Sequence, residues 1–367
     1  MSKHIISLLI LIITITSCHQ EKQKSTLEII DLEQAFNKEH NSFFNIHELA
    51  TEVEYIQLET HDSCLIGNNM QVYVSGNNIL TITRRQIFLF DRRTGNFIRE
   101  IATYGEGPDN YTRAISMFPL DEQNETVTVF ANNKRRTYSL NGNILRETIQ
   151  PEGIFKASEI APGIFAGFIP NFSGDEKNKI ALFNEKGERT GGFINQNQTP
   201  PMENSVNIWM PNGWFYKNQS KHYFYELFTD TIYQISPSEL EPHVVLFQGK
   251  YLPPYEKKNS TFEVPEYFMM KGLYESTKYL FYNFSYQQGK FTMVYDKNDK
   301  TIKTYDMEVI PFTLSYINED NELIGFIEAY HIEDWENRGL LPEERKKSLK
   351  NKDEMDNPVI VIGKLKN

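Results

Sequence analysis

Residues suited to catalysis or metal binding occur in this sequence, but without the spacing that each motif needs. His47-Glu48 begins like the helix of a zinc protease, yet Thr51 stands where the second histidine ligand belongs. Gly105-Glu106-Gly107 lacks the third glycine of a dinucleotide-binding loop. The segment Asp296 to Thr301 starts like a calcium loop, but Lys and Thr occupy its fifth and sixth positions, so a hairpin turn is the simpler interpretation. We therefore assign no catalytic residue, no metal site and no cofactor.

A loop rich in Gly and Pro carries the first side chains suited to ligand binding. It combines the rings, carboxylates and guanidinium group of Tyr104, Glu106, Asp109, Tyr111 and Arg113. Binding residues are often carried on loops that a rigid scaffold positions, so this loop is a candidate ligand contact. The alternative is a plain connection between two structural units, in which Gly and Pro only shape the turns.

Tryptophan residues mark the second candidate. Trp209 and Trp214 precede a run of further aromatic residues that begins with Phe215-Tyr216. Exposed aromatic rings can stack on the faces of sugars, whereas buried rings would fill the space between neighbouring structural units. Both interpretations remain open at this stage.

The elements that must position these residues are short strands joined by turns. One order of strand, glycine-containing turn and strand occurs twice in succession. Its two copies are Ile87 to Phe90, Asp91 to Gly95 and Phe97 to Ile101, then Arg136 to Leu140, Asn141-Gly142 and Ile144 to Ile149. Such a unit is typical of antiparallel β-sheets. Aromatic residues make up 13% of the chain, which also favours strands.

The spacing of the turns predicts the blades of a β-propeller. Turns near residues 93, 141, 186, 230 and 297 are about 48, 45, 44 and 67 residues apart, and propeller blades repeat at roughly 40 to 50 residues. The terminal strand Val359 to Ile362 would pair with the strand near Tyr55 to Leu58 and close the ring, leaving no sheet edge unpaired. A short charged helix near 341–350 is expected as a surface insertion.

Composition narrows the possible partners. The 40% hydrophobic and 24% charged residues are typical of a folded soluble protein. A net charge of −11 argues against nucleic acid as a partner, because phosphate binding needs a concentrated basic surface.

The N-terminus has the features of a bacterial export signal. The apolar run Ile5 to Ile15 is too short to span a bilayer, which needs about 20 residues. Ile15-Thr16-Ser17-Cys18 resembles a lipobox, so we expect residues 1–17 to be removed, Cys18 to be lipidated and residues 18–26 to form a flexible tether. The alternative is an ordinary signal peptide with a cysteine nearby. Lipidation of Cys18 would leave Cys64 as a lone, buried thiol.

Several short segments, taken in order, resemble one known family. They are Tyr55 to Thr60, Phe90-Asp91 with Gly95, Gly105 to Pro108, Thr229 to Tyr233 and Asn357 to Val359. With the lipobox, they are similar to the six-bladed β-propeller lipoproteins of Bacteroidota. The resemblance implies an all-β, six-bladed propeller as a single domain over residues 27–367, and a location in the cell envelope, at the outer membrane. It implies no particular biochemical activity.

These features favour a binding module over an enzyme. We expect a membrane-anchored, extracytoplasmic propeller that is held to the membrane by its N-terminal lipid and binds a glycan, a peptide or another envelope protein. The alternative is a glycan hydrolase or lyase whose site is assembled at the central channel, because propellers host such sites and fold alone does not decide function.

Replacing the lipidated cysteine tests the location directly. Cys18→Ala should abolish incorporation of labelled fatty acid and release the protein from the membrane fraction, because no acyl chain would remain to anchor it. Cys64→Ala is the control and should leave both properties unchanged. Membrane retention of the Cys18→Ala protein would show that the lipobox interpretation is wrong.

Overall fold

Six small antiparallel sheets follow one another along the chain, and each forms one blade of a β-propeller. This architecture confirms the all-β, six-bladed fold expected from the sequence. The computed structural model describes residues 27–112, 120–131, 134–154, 156–198, 201, 213–258, 265–307, 312–343, 345, 349 and 353–367.

The strands of blades 1 to 5 are arranged in chain order from the channel outward. Blade 1 consists of Gln71–Ser75, Asn78–Ile82, Ile87–Asp91 and Phe97–Glu100; blade 2 of Leu120–Asp121, Thr126–Ala131, Lys134–Ser139 and Ile144–Ile149; blade 3 of Lys156–Ala161, Ile164–Phe168, Asn178–Asn184 and Arg189–Ile194. Blade 4 consists of Gly213–Asn218, Lys221–Glu226, Thr231–Ile235 and Leu240–Phe247; blade 5 of Met269–Glu275, Tyr279–Tyr286, Gly289–Asp296 and Thr301–Asp306.

Blade 6 joins the two ends of the described chain. Its three inner strands are Thr313–Ile317, Glu322–Ile327 and Val359–Leu365, and its outer strand is Ala50–Gln57. The outer strand pairs antiparallel with the C-terminal strand, with Tyr55 opposite Val361. The predicted closure of the ring is therefore confirmed. We refer to the face where each inner strand turns into the second strand as the lower face, and to the opposite one as the upper face.

Burial follows the position of each strand in its blade. Ile87–Asp91, the third strand of blade 1, is buried at every residue but the last, because both faces of a blade pack against neighbouring blades. Phe97–Glu100, the outer strand, is mostly exposed. Apolar clusters join blades 1 and 2, 3 and 4, 4 and 5, 5 and 6, and 6 and 1. Continuous apolar runs thus mark the middle strands of this fold.

The boundary between blades 2 and 3 is built differently. Among the described residues, the guanidinium groups of Arg135 and Arg146 lie over the ring of Phe165, at 4.8 and 5.5 Å from its centroid. Arg146 pairs with Glu159 at 2.7 Å, whereas Nη1 of the buried Arg135 has no hydrogen-bond partner in the described part of the chain. Cation–π contacts therefore replace part of the aliphatic packing at this boundary.

Glycine turns explain the period seen in the sequence. Gly95, Gly142 and Gly187 join the third and fourth strands of blades 1 to 3, have positive φ, and each lies against the end of the preceding blade's outer strand. The turn at Asp230 is not equivalent, because it joins the second and third strands of blade 4. The equivalent turn of blade 4 is Ser236 to Glu239, which contains no glycine and so gave no signal.

In the part of the chain that the structure describes, helices are few and short. They are Leu32–Phe36, Ile46–Leu49 and Ile332–Asn337, with 3-10 turns at Gly249–Tyr251, Tyr255–Lys257 and Ala329–His331. Within the described ranges, none has the length and apolarity to cross a bilayer. Of the helix predicted near 341–350, Glu343, Arg345 and Leu349 are helical, and residues 344, 346–348 and 350 lie outside the described part. An additional strand, Glu28–Asp31, pairs in parallel with the outer strand of blade 4.

The glycine turn against the closing strand gives a test of this packing. A Cβ atom at Gly95 would lie 1.9 Å from the carbonyl oxygen of Gln57 in the ring-closing strand, and the φ of Gly95 is +76°. We expect Gly95→Ala to lower the free energy of unfolding by about 3 kcal/mol or more, through backbone strain and displacement of that strand.

Gly153→Ala is the matched control, because its φ is +80° but nothing lies within 4 Å of the added Cβ. It should cost only about 1 to 2 kcal/mol of conformational strain. Urea unfolding measures both variants, and equal losses would contradict the packing role of Gly95.

Candidate functional site

Side chains of the inner strands fasten blades 4, 5, 6 and 1 to one another around the channel. An inner strand has no strand partner on its channel side, so its exposed backbone groups need other partners. Three inter-blade bonds supply them, from Trp214 Nε1 to Leu273 O (2.9 Å), from Tyr274 Oη to Leu314 O (3.1 Å) and from Val72 N to Ser315 Oγ (2.8 Å). These bonds fix the inner strands of blades 4, 5, 6 and 1 in relation to one another.

Charged side chains from three blades meet at the lower end of the channel. The ammonium group of Lys217, on the inner strand of blade 4, pairs with the carboxylate of Glu319 in the first hairpin of blade 6. The backbone N–H of Glu319 donates to Oε2 of Glu122, in the first hairpin of blade 2, at 3.3 Å. Tyr316 Oη also donates to Glu122. We refer to these four residues and His222 as the lower mouth.

The contacts at the lower mouth reach across the channel. Blade 5 separates blades 4 and 6 around the ring, and blade 1 separates blades 6 and 2, so each contact passes over a blade. Blade 1 permits this because its own hairpin is only Gly76-Asn77. The side chains of Lys217 and Glu319 are 33% and 34% exposed, which leaves their polar atoms open to a ligand.

Burial shifts the pKa of three groups at the lower mouth, and it raises the pKa of Tyr316 so that the phenol stays protonated. Burial raises the pKa of Glu122, and hydrogen bonds from Tyr316 and from the N–H of Glu319 only partly oppose it. Burial, with the nearby charge of Lys217, lowers the pKa of His222 to about 4, so its imidazole is neutral at physiological pH. The Nδ1 atom of His222 has no hydrogen-bond partner within the described residues. The lower mouth therefore offers a cation, carboxylates, a phenol and a neutral imidazole together.

Sequence motifs did not indicate the lower mouth. One signal was present, because Leu120-Asp121-Glu122-Gln123-Asn124-Glu125 and Ile317-Asn318-Glu319-Asp320-Asn321-Glu322 follow the same pattern. Each segment is the first hairpin of its blade. Two similar acidic hairpins on alternate blades of a ring were the available indication that their carboxylates converge.

The first loop predicted from the sequence lies on the upper side, in the crossing from blade 1 to blade 2. Tyr104 is 38% exposed with Arg85 over its ring at 5.3 Å, and Glu106 and Asp109 are also exposed. Tyr111 is fully buried in the core between these blades. Tyr104, Glu106 and Asp109 remain available to a ligand, and none of them belongs to the lower mouth. Arg113 lies outside the described residues.

Trp214 lies on the inner strand of blade 4, where it is half-buried. Its indole N–H is bonded to the neighbouring strand, the ammonium group of Lys156 lies 5.3 Å from its ring, and the edge of Tyr274 packs against it. Burial lowers the pKa of Lys156 to about 8. The ring is thus held in the wall of the channel. Trp209 and Cys18 lie outside the described residues.

The described ranges contain no preformed metal site. No group of three or more His, Cys, Asp or Glu side chains has suitable positions there. Cys64 is a free, buried thiol whose Sγ donates to the carbonyl of Glu59 at 3.3 Å.

A buried carboxylate holds blades 4 and 5 together near the lower face. Glu275 is 1% exposed and accepts hydrogen bonds from Tyr216 Oη (2.5 Å), His243 Nε2 (3.1 Å) and Lys297 Nζ (2.6 Å). Burial alone would raise the pKa of Glu275, but the bond from His243 and the charge of Lys297 outweigh it, lowering the pKa to about 2. Glu275 therefore stays ionised and crosslinks the two blades.

This cluster predicts a defined pH dependence of stability. Because the folded-state pKa is depressed, its contribution is present above the usual carboxyl pKa of 4.5 and is lost as the pH falls toward about 2. Glu275→Gln should lower the free energy of unfolding at pH 7 by on the order of 3 kcal/mol and flatten its decline below pH 4.5. Glu241→Gln, at an exposed position of blade 4, should change it by less than about 0.5 kcal/mol. If the free energy of unfolding of Glu275→Gln declined below pH 4.5 as steeply as that of the native protein, the role assigned to Glu275 would be contradicted.

Comparison with known proteins supports the fold and gives the family. The chain is 17% identical to a candidate exported protein of Bacteroides fragilis NCTC 9343, with a TM-score of 0.73 and coverage of 93% of this chain and 100% of that chain. It is 12% identical to a member of the DUF4221 family from Bacteroides vulgatus ATCC 8482, with a TM-score of 0.52 and coverage of 87% and 98%. At these identities the similarity shows the fold alone. No curated protein matches the chain.

A family model described as a domain of unknown function, DUF4934, matches residues 27–364, almost the whole of the propeller. The chain therefore belongs to the DUF4934 family.

Proposed function

We propose that the chain is an extracytoplasmic binding module, attached to the outer membrane by a lipid on Cys18, and that its lower mouth binds a hydroxyl-rich ligand such as a glycan. One observation carries the proposal. Lys217, Glu122 and Glu319 converge from three blades on one end of the channel, where the side chains of Lys217 and Glu319 are partly exposed to solvent.

The chemistry of the lower mouth suits sugar hydroxyl groups. A hydroxyl both donates and accepts hydrogen bonds, so it can donate to the carboxylate of Glu319 and accept from the ammonium group of Lys217. The belt of inter-blade bonds holds the inner strands in place before a ligand arrives, and such preorganisation lowers the cost of binding. A largely apolar ligand would leave these charges unpaired and is disfavoured.

The location rests on the N-terminal segment. The sequence from Ile5 to Cys18 has the order of an export signal and lipobox. One similar structure is that of a candidate exported protein, which supports a location outside the cytoplasm. The nine residues between Cys18 and Glu28 span at most about 35 Å when extended, so the propeller would remain close to the membrane surface.

A second candidate function is cleavage of a glycan at the lower mouth, by a hydrolase or a lyase reaction. The observation that favours it is the pairing of two carboxylates in different environments. Burial raises the pKa of Glu122, which is the change that a general acid requires, while Glu319 faces the ammonium group of Lys217. Release of a shortened glycan by the native protein, and loss of this activity in Glu122→Gln, would favour this alternative over simple binding.

Binding measurements on lower-mouth variants test the proposal. A panel of neutral and acidic oligosaccharides should contain a ligand that raises the melting temperature of the native protein. Lys217→Met and Glu319→Gln should each weaken its affinity by roughly 10- to 100-fold, because each change removes hydrogen bonds to the ligand. Calorimetric titration gives the dissociation constants.

Glu125→Gln is the matched control, because this exposed residue belongs to the same hairpin as Glu122 and its carboxylate lies outside the lower mouth. Its affinity should equal that of the native protein. A panel without any ligand, or equal affinity in all variants, would contradict the proposal.

A further inference from the structure

A second charged cluster lies on the upper face, between blades 3 and 4, and is almost fully buried. The carboxylate of Glu226 pairs with the ammonium groups of Lys179 at 2.7 Å and Lys258 at 2.6 Å. The side chains of these three residues are 0%, 8% and 2% exposed, respectively. Tyr255 Oη donates to the same carboxylate at 3.2 Å. We refer to these four residues as the lysine cluster.

The charges of the lysine cluster do not balance. The charge of Glu226 outweighs burial and raises the pKa of Lys179, and the two lysines together lower the pKa of Glu226, so this pair is ionised at neutral pH. No other carboxylate of the described residues lies within 4.0 Å of either ammonium group. Among the side chains that the structure describes, one positive charge is thus in excess at the cluster. Two buried ammonium groups share one carboxylate, so a further anion would be favoured here.

The surroundings of the cluster suggest where an anion would enter. Aromatic rings form its floor, since Lys258 lies 5.3 Å from the centroid of Phe168 and 5.1 Å from that of Tyr255. Tyr255 is half-buried, and its hydroxyl group bonds to the amide of Asn195, also half-buried, at 3.2 Å. These two polar side chains form the outer wall, so displacement of their mutual bond would admit a ligand.

We propose that the lysine cluster binds the carboxylate group of a ligand on the upper face of the propeller. A carboxylate carries one negative charge and balances the one excess positive charge, whereas sulfate or doubly charged phosphate would exceed it. The donors are the ammonium groups of Lys258 and Lys179 with the amide of Asn195, and the rings of Phe168 and Tyr255 contact the apolar part of the ligand. This site is separate from the lower mouth and does not depend on it.

Thermal unfolding in different sodium salts at constant ionic strength tests the site. Acetate and glucuronate should raise the melting temperature of the native protein above its value in chloride, in a saturable manner, and sulfate should not match this increase. Lys258→Met should reduce the increase in melting temperature that acetate causes at least tenfold. In chloride, its melting temperature should not be lower than that of the native protein, because the substitution removes the excess charge. If that variant does not fold, Lys179→Met provides the same comparison.

Two controls separate this site from other effects. Lys257→Met changes an adjacent, partly exposed lysine that pairs with Glu266, and it should retain the acetate response. Glu319→Gln at the lower mouth should also retain it, even if the glycan proposal fails. The inference would be overturned by equal melting temperatures in acetate and chloride, by an equal effect of sulfate, or by an unchanged acetate response in both cluster variants.

Discussion

The unpaired channel-side edge of each inner strand is the constraint on which the rest of the molecule depends. A sheet edge left open inside a ring must be satisfied by side chains or water, since no further strand fits there. Trp214, Tyr274 and Ser315 meet this need by bonding to the backbone of the next inner strand. At the rim, the strand Ala50–Gln57 completes blade 6 and closes the ring. Together these contacts make a rigid frame, on which hairpins of different blades can be brought together at one end of the channel.

Buried charge is handled in three different ways in this frame. Glu275 is matched by several donors and holds two blades together. Arg135 has no carboxylate partner among the described residues and rests on the ring of Phe165. Glu226 is opposed by two ammonium groups, which leaves one positive charge in excess. The last arrangement is the proposed anion site, because two ammonium groups there can donate to one ligand. An ion pair between buried Glu and Lys side chains can therefore hold two blades together in one place and form part of a ligand site in another.

The sequence predicted the frame better than the site. Strand periodicity and the glycine turns at Gly95, Gly142 and Gly187 identified the blades because these signals are local. The closing pair of strands was predictable because a ring requires it. The lower mouth escaped prediction because its contacts join residues far apart, with Glu319 and Glu122 separated by 197 positions. Tyr111 shows another limit, since a tyrosine in a glycine-rich loop suits either a ligand or the core, and here it is buried. Spatial convergence and burial arise only from the closed ring.

Hydrogen–deuterium exchange with and without the glycan that binds best is the most direct test of the central claim, that ligand binds where three blades converge. Slower exchange is expected in the hairpins at 121–125, 218–222 and 318–321, which all lie at the lower end of the channel. No change is expected at the turns 140–143 and 185–188, which lie farther out in their blades. Protection confined to the upper loop at 104–112, or absent from all three lower hairpins, would contradict the account.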